Sequence, residues 1–175
     1  MAEAPEIPEA NDPFEKRVAV TIASLAVVLA VIGNKGDNAK TDAIIRTNEA
    51  SNQWGYFQAK GIKGSIAISE SELLSMLAPS QTAAADILKK VETLKADAER
   101  YKEEQKEIKT RAEEAQKDAE RGSKINDRCD QASLALQIAI VIASVAILSR
   151  MHVFWIISIV LGLVGVVVGV LAFLI

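Results

Sequence analysis

The chain has 175 residues, 25% of them charged, a formal net charge of −3 and a single cysteine, Cys129. One cysteine excludes an internal disulfide framework and a zinc site made of several thiolates. The charges are segregated, because 17 of the 20 Lys and Arg residues lie between Lys35 and Arg128. This distribution predicts a hydrated middle between apolar ends.

The N-terminal region combines an acidic start with a short apolar run. Residues 1–13 contain three prolines and several carboxylates, which predicts a disordered acidic leader. Val18–Ile32 follows a Lys-Arg pair, and the first transmembrane helix is assigned to 14–33 as an uncleaved segment. Gly33–Asp37 is rich in breaker residues and is expected to form a turn where the chain leaves the membrane.

The hydrated middle, residues 34–131, has two heptad series of alternating three- and four-residue steps. Such spacing is typical of coiled coils. Because membrane segments flank this region, the chain should run out and back, and we expect a long antiparallel coiled-coil stalk. The first series falls at positions 41, 45, 48, 52, 55, 59, 62 and 66, and the second at 87, 91, 94, 98, 101, 105, 108, 112, 115, 119, 122, 126 and 129.

The tip of this stalk is expected near residues 64–80. Gly61 and Gly64 can end the first helix, and Ser69–Glu72 matches a capping box that would start a short new one. Pro79 would interrupt it before the long second helix. The apolar residues there are a candidate docking site for another protein: Leu73, Leu74, Met76 and Leu77.

An unusual stretch of amides and aromatics lies on the first arm of the stalk. One interpretation is a recognition surface or the polar lining of an oligomer axis. The simpler interpretation is register control, because a buried Asn at a heptad position selects pairing partners. In both interpretations Asn48 and Asn52 face inward. The candidate residues are Asn48, Asn52, Gln53, Trp54, Tyr56, Phe57, Gln58 and Lys60.

The C-terminal region, 132–175, predicts a transmembrane hairpin. Its single charged residue, Arg150, lies where the apolar runs Ala132–Leu148 and Val153–Ile175 meet. The small residues Gly162, Gly165 and Gly169 share one helix face, which predicts close helix packing, with a pore wall as the alternative. Gln137 is expected to form an interhelical hydrogen bond, and His152 to be an interfacial anchor.

No catalytic or cofactor constellation is evident, because the single histidine and single cysteine have no supporting partners and no Gly-rich phosphate loop appears. We therefore predict no enzyme activity, no cofactor or metal site, and no nucleic-acid partner.

The motif Asn52-Gln53-Trp54, Tyr56 to Lys60 and Ile62-Lys63 resembles the centre of an uncharacterised bacterial family, domain of unknown function forty-three thirty-seven. The resemblance continues through Tyr101, Glu104 and Ile108 to the Leu148–Arg150 loop. It implies an N-terminal membrane segment, a charged helical middle and a C-terminal membrane hairpin. It implies no activity.

These observations predict an all-α membrane protein with three transmembrane helices and an antiparallel coiled-coil stalk between the first and the second. The expected function is a homo-oligomeric scaffold or partner-docking protein in the bacterial inner membrane, its partners being the bilayer, itself and an unknown protein at the tip. The alternative is an oligomeric pore. Basic residues near the membrane favour a cytoplasmic stalk by a small margin.

Overall fold

The structure, a computed structural model, describes residues 12–77 and 84–174. These residues form three α-helices: α1 (Pro13–Leu77), α2 (Ala84–Ser149) and α3 (His152–Phe173). The predicted leader, apart from its last two residues, and Pro79 lie outside the described residues. The all-α class predicted from the sequence is confirmed for the part of the chain that is described.

The start of α1 is fixed by local chemistry. The backbone N–H of Phe14 donates to Oδ1 of Asp12 at 2.9 Å, so Asp12 caps the helix. Pro13 occupies the first helical position, where its missing N–H costs nothing.

Helix α1 does not break where the sequence predicts. Gly33–Asp37, Gly61 and Gly64 all lie inside it, so the predicted turn and the predicted helix end are both wrong. A glycine inside a helix costs about 1 kcal/mol relative to alanine, and this cost is tolerated where a neighbour needs the space. At Gly36, an added Cβ would lie 2.9 Å from Cβ of Cys129.

The predicted capping box at Ser69–Glu72 is also wrong. Ser71 is buried inside α1 and its hydroxyl donates to the carbonyl oxygen of Ile68 at 2.7 Å. The helix continues to Leu77, so Leu73–Leu77 form its last turn and are not a separate helix.

Two compact units divide the described residues. The membrane unit comprises 12–42 and 121–174, and the coil unit comprises 43–120. All three helices contain a segment that is long and apolar enough to cross a membrane, which is typical of a multi-pass membrane protein.

The core of the membrane unit consists mainly of small residues from α2 and α3, with larger residues from α1 between them. Ile32 of α1 packs in one cluster with Cys129, Leu136 and neighbouring alanines. Val18 packs in a second cluster with Ala143 and Ala146, bordered by aromatic residues. Close approach of small residues is how helices associate in lipid.

The coil unit has a thin core. Its buried apolar residues are Ala43, Ala50, Ala67, Val91, Leu94, Ala112, Ala115 and Ala119. Every position of the second predicted series is buried or half-buried, whereas every position of the first series is exposed. The face predicted on α2 is therefore confirmed as a buried face. The face predicted on α1 does not pack against α2 within a single chain, so that part of the prediction is wrong.

Candidate functional site

The densest group of polar contacts in the coil unit is a polar clasp formed by Lys60 of α1 with Arg100, Tyr101 and Glu104 of α2. Lys60 forms an ion pair with Glu104. Its Nζ lies 5.0 Å from the centroid of the Tyr101 ring, and Cζ of Arg100 lies 5.1 Å from the same centroid. Arg100 Nε also lies 3.7 Å from Oε1 of Glu104. Two cations thus share one aromatic ring and one carboxylate.

The clasp changes the acidity of its carboxylate. The hydrogen bond from Lys60 lowers the pKa of Glu104 below its ordinary value of 4.5, and the charges of Lys60, Arg100 and Lys63 act in the same direction. Partial loss of solvent opposes this effect. Glu104 is thereby held in its charged form, which suits an ion pair rather than proton transfer.

A second polar contact lies beside the clasp. Nε2 of Gln105 donates to the backbone carbonyl oxygen of Phe57 at 2.9 Å. Gly61 follows Phe57 by four residues, and an added Cβ at Gly61 would lie 2.6 Å from Nε2 of Gln105. The glycine is therefore the residue that leaves room for this bond.

An open groove of about 420 Å³ borders these contacts. Its lining combines three lysines and one glutamate with several small residues. The residues are Lys60, Gly61, Gly64, Ser65, Ile68, Lys95, Ala98, Glu99, Lys102 and Gln105.

The structure separates the predicted amide and aromatic residues into two groups. Phe57 contacts α2 through its main-chain carbonyl, and Lys60 contacts it through its side chain. Trp54 packs edge-on against Phe57 with 5.6 Å between ring centroids. Gln53 is half-buried, whereas the remaining residues are exposed: Asn48, Asn52, Tyr56 and Gln58. Asn48 and Asn52 therefore do not face α2 within one chain, and their placement toward an oligomer axis stays a prediction.

The three predicted glycines of α3 lie at close helix contacts in the membrane unit. A Cβ added to Gly162 would lie 2.8 Å from Cδ2 of Leu25. At Gly165 it would lie 2.9 Å from Cγ of Leu136, and at Gly169 it would collide with Ile32. All three glycines are buried, so side chains of the same chain cover this face.

Gln137 is placed differently from the prediction. It is exposed on α2, and within residues 12–77 and 84–174 its side chain forms no hydrogen bond. The predicted interhelical bond is therefore not formed inside the described part of this chain.

The hairpin turn and the start of α1 meet in an aromatic cluster. The rings of Phe14 and His152 have centroids 4.2 Å apart, and Phe14 also contacts Trp155 edge-on at 5.9 Å. Nε1 of Trp155 donates to Oγ1 of Thr21 at 3.2 Å. An aromatic ring that buries its body and satisfies its N–H is typical of a membrane interface.

The predicted docking residues occupy the last turns of α1. Leu73 and Met76 expose 62% and 77% of their surface, and Leu74 is half-buried. Leu77 ends the helix. The side chains of Leu73, Leu74 and Met76 thus lie close together and are only partly covered.

Some important contacts are absent from the sequence-based prediction. The heptad series places Gln105 on the buried face, but its partner is a backbone carbonyl, which no side-chain pattern marks. Trp155 and Thr21 are 134 positions apart, and only the requirement that a buried indole N–H finds an acceptor could have suggested a bond.

The side chains that could bind a metal ion are dispersed over the described part of the chain. The thiol of Cys129 is buried against Gly36. Among the described residues, His, Cys, Asp and Glu side chains form no group of three or more that could hold a metal ion.

No curated protein and no solved structure matches the chain. The family model described as "Domain of unknown function (DUF4337)" matches residues 14–175, and the chain therefore belongs to this family.

Proposed function

We propose that this protein is a homo-oligomeric, membrane-anchored coiled-coil scaffold or partner-docking protein without catalytic activity. Its coil unit is an antiparallel coiled coil. Contacts between α1 and α2 support this pairing, because partner numbers rise on one helix as they fall on the other: Phe57 with Gln105, Lys60 with Glu104, and Gly64 with Tyr101.

The observation that carries self-association is the unpartnered face of α1 in the coil unit. Ile62 and Ile66 expose 61% and 59% of their surface, and Ile45 is similarly exposed. They belong to the heptad series that begins at position 41, so α1 has a second row of residues with coiled-coil spacing. Since the buried row is mostly alanine, a second helix on this face would bury more apolar area than the pair already does.

The occupant that this face fits best in chemical terms is a second copy of the same helix. Asn48 and Asn52 lie in the same row, and a carboxamide both donates and accepts hydrogen bonds. Two copies of the row can therefore pair Ile with Ile and Asn with Asn. A buried Asn at such a position fixes register and the number of helices at some cost in stability.

The end of α1 is the proposed docking site for a different protein. Leu73 and Met76 are exposed apolar residues in the coil unit, where the membrane does not cover them. A small apolar patch of this kind fits an amphipathic helix or an apolar loop.

The pore alternative has less support than the scaffold. It required the glycine face of α3 to line a channel, but Leu25, Ile32 and Leu136 pack on that face within one chain. We therefore do not propose transport.

We further propose a bacterial inner-membrane location with a cytoplasmic coil unit. The membrane-proximal basic residues on that side are Lys35, Lys40, Arg46, Arg121, Lys124 and Arg128, against Lys16, Arg17 and Arg150 on the other. A membrane-impermeant maleimide should label Ser51→Cys only after the membrane is opened. Labelling in intact spheroplasts would show that the coil unit has the opposite orientation.

The deciding experiment measures the native mass of the full chain in nanodiscs. We expect a defined oligomer, and we expect Ile62→Glu with Ile66→Glu to lower its mass. Leu88→Glu is the matched control, because Leu88 is an equally exposed leucine on α2. A monomeric wild-type particle would overturn the proposal, and equal effects of both variants would overturn the role of this face.

A further inference from the structure

Gln137 occupies an unusual position on the membrane unit. It lies inside the apolar run Ala132–Leu148 and is exposed. The buried residues of this segment lie on the opposite face of α2: Ala132, Leu136, Ala139, Ala143 and Ala146. The carboxamide therefore points away from α1 and α3, toward the surface that lipid would cover.

The depth of Gln137 makes this exposure costly. It lies five positions beyond Ala132, which is roughly 7.5 Å along the helix at about 1.5 Å per residue. Hydrocarbon offers no hydrogen-bond partner, so an amide facing lipid loses the bonds it makes in water. Within the described residues no other group of this chain satisfies it.

We propose that Gln137 pairs two copies of this chain inside the membrane through a hydrogen bond between their carboxamides. This inference rests on the homo-oligomer proposed above and adds a membrane contact to it. Copies inserted in the same orientation place Gln137 at the same depth. Because a carboxamide has both donors and an acceptor, the two side chains complement each other across a two-fold axis along the membrane normal.

The surrounding surface fits a helix contact. Val141, Ser144 and Leu148 follow Gln137 by steps of four, three and four, so the four residues share one face. The hydroxyl of Ser144 already donates to the carbonyl oxygen of Ile140 at 3.0 Å, which leaves a small, satisfied side chain at the contact. This face has the polar residue and the small residue that membrane helix pairs use.

Cysteine cross-linking in nanodiscs tests this contact. The reporters are Val141→Cys and Ser144→Cys, each combined with Cys129→Ala to remove the native thiol. Val164→Cys is the matched control, because Val164 is exposed on a different helix, α3. Its neighbour Gly165 packs against Leu136, so the depth of Val164 is close to that of Gln137. We expect disulfide-linked dimers from both reporters and few from the control.

A second set of variants changes the amide of Gln137 itself. Gln137→Leu should weaken dimer formation at the Val141→Cys reporter by about 3- to 30-fold, the range found for polar contacts between membrane helices. Gln137→Asn, which keeps a carboxamide, should retain most of it. Gln137 is exposed, so neither substitution removes packing inside the chain.

The outcomes separate this inference from the proposed function. Equal cross-linking at Val141→Cys and Val164→Cys, or an unchanged yield with Gln137→Leu, would overturn the membrane contact, whereas an oligomeric native mass would still support the scaffold. A monomeric wild-type particle would overturn both.

Discussion

The side chain of Gln105 on α2 donates a hydrogen bond to the main-chain carbonyl oxygen of Phe57 on α1 at 2.9 Å. This carbonyl is also part of the hydrogen-bonded backbone of its own helix. The amide of Gln105 therefore connects a side chain of α2 to the main chain of α1. The bond can form because position 61 lacks a Cβ. It links the central motif of the family resemblance to the heptad face of α2.

The coupling between Gly61 and Gln105 can be measured. In a Gln105→Ala background, Gly61→Ala should stabilise the coil unit by about 1 kcal/mol through helix propensity alone. In the native background most of this gain should disappear, because the new methyl group displaces Gln105 and a hydrogen bond worth about 0.5–1.5 kcal/mol is lost.

A double-mutant cycle from urea unfolding, followed by circular dichroism, gives this coupling directly. Gly55→Ala is the control, because an added Cβ there meets nothing within 4 Å. Additive effects of Gly61→Ala and Gln105→Ala would contradict the proposed dependence of the bond on Gly61.

The polar clasp predicts a pH dependence. The pKa of Glu104 is lower in the folded protein than its ordinary value of 4.5. A lowered folded-state pKa contributes stability above the unfolded-state value, and this contribution is lost as the pH falls through the folded-state value. Glu104→Gln should therefore destabilise the coil unit at pH 7, and its difference from wild type should shrink below about pH 4.5.

Hydrogen–deuterium exchange around residues 57–64 and 101–105 is the appropriate readout, since it reports local opening of the clasp. Glu114→Gln, at an exposed position on the same helix, is the matched control. A difference between Glu104→Gln and wild type that stays constant from pH 7 to pH 3 would show that the ion pair is not its cause.

Glycine at position 165 is required by close packing in the membrane unit. A Cβ there would lie 2.9 Å from Cγ of Leu136 and 3.1 Å from the carbonyl oxygen of Ala132. The backbone cannot move aside as easily as a flexible side chain, so Gly165→Ala should cost about 1–3 kcal/mol.

Gly33→Ala provides the contrast within the same unit, because nothing lies within 4 Å of an added Cβ at Gly33. It should be neutral or stabilising by up to about 1 kcal/mol. Unfolding in mixed detergent micelles compares the two variants, and equal effects would refute the packing role of Gly165.

The heptad pattern predicts the buried face of α2 correctly but selects a face of α1 that does not contact α2 within one chain. On α2, apolar and small residues fall in one row, so only one register is available. On α1, the large residues Ile45, Ile62 and Ile66 define one row, whereas the residues that face α2 are small ones such as Ala50 and Ala67. Hydrophobicity favours the first row, but a narrow helix pair selects the second because small residues allow close approach.

The glycines explain the remaining difference. Sequence patterns treat Gly36 and Gly61 as breakers, but each lies where a partner side chain comes close, Cys129 in one case and Gln105 in the other. Packing against α2 outweighs the propensity cost of about 1 kcal/mol per glycine. Such a contact is non-local, so no window of the sequence around the glycine contains it.

Arg150 combines backbone strain with an ion pair in the turn between α2 and α3. Its φ is 54°, in the left-handed region, which costs a non-glycine residue about 1–2 kcal/mol. Its Nη2 lies 3.4 Å from Oε1 of Glu15, but the arginine side chain is 75% exposed, and such a pair contributes about 0–1 kcal/mol.

The two contributions can be separated with Arg150→Gly and Arg150→Ala. Both variants remove the ion pair, but only glycine relieves the strain, so Arg150→Gly should be more stable than Arg150→Ala by about 1 kcal/mol. Glu15→Gln is the control that removes the pair and keeps the backbone unchanged, and it should cost no more than about 1 kcal/mol. Unfolding in mixed micelles measures all three. If Arg150→Ala were as stable as Arg150→Gly, the turn would not need the left-handed conformation, and the side chain of Arg150 would be kept for its charge at the membrane interface.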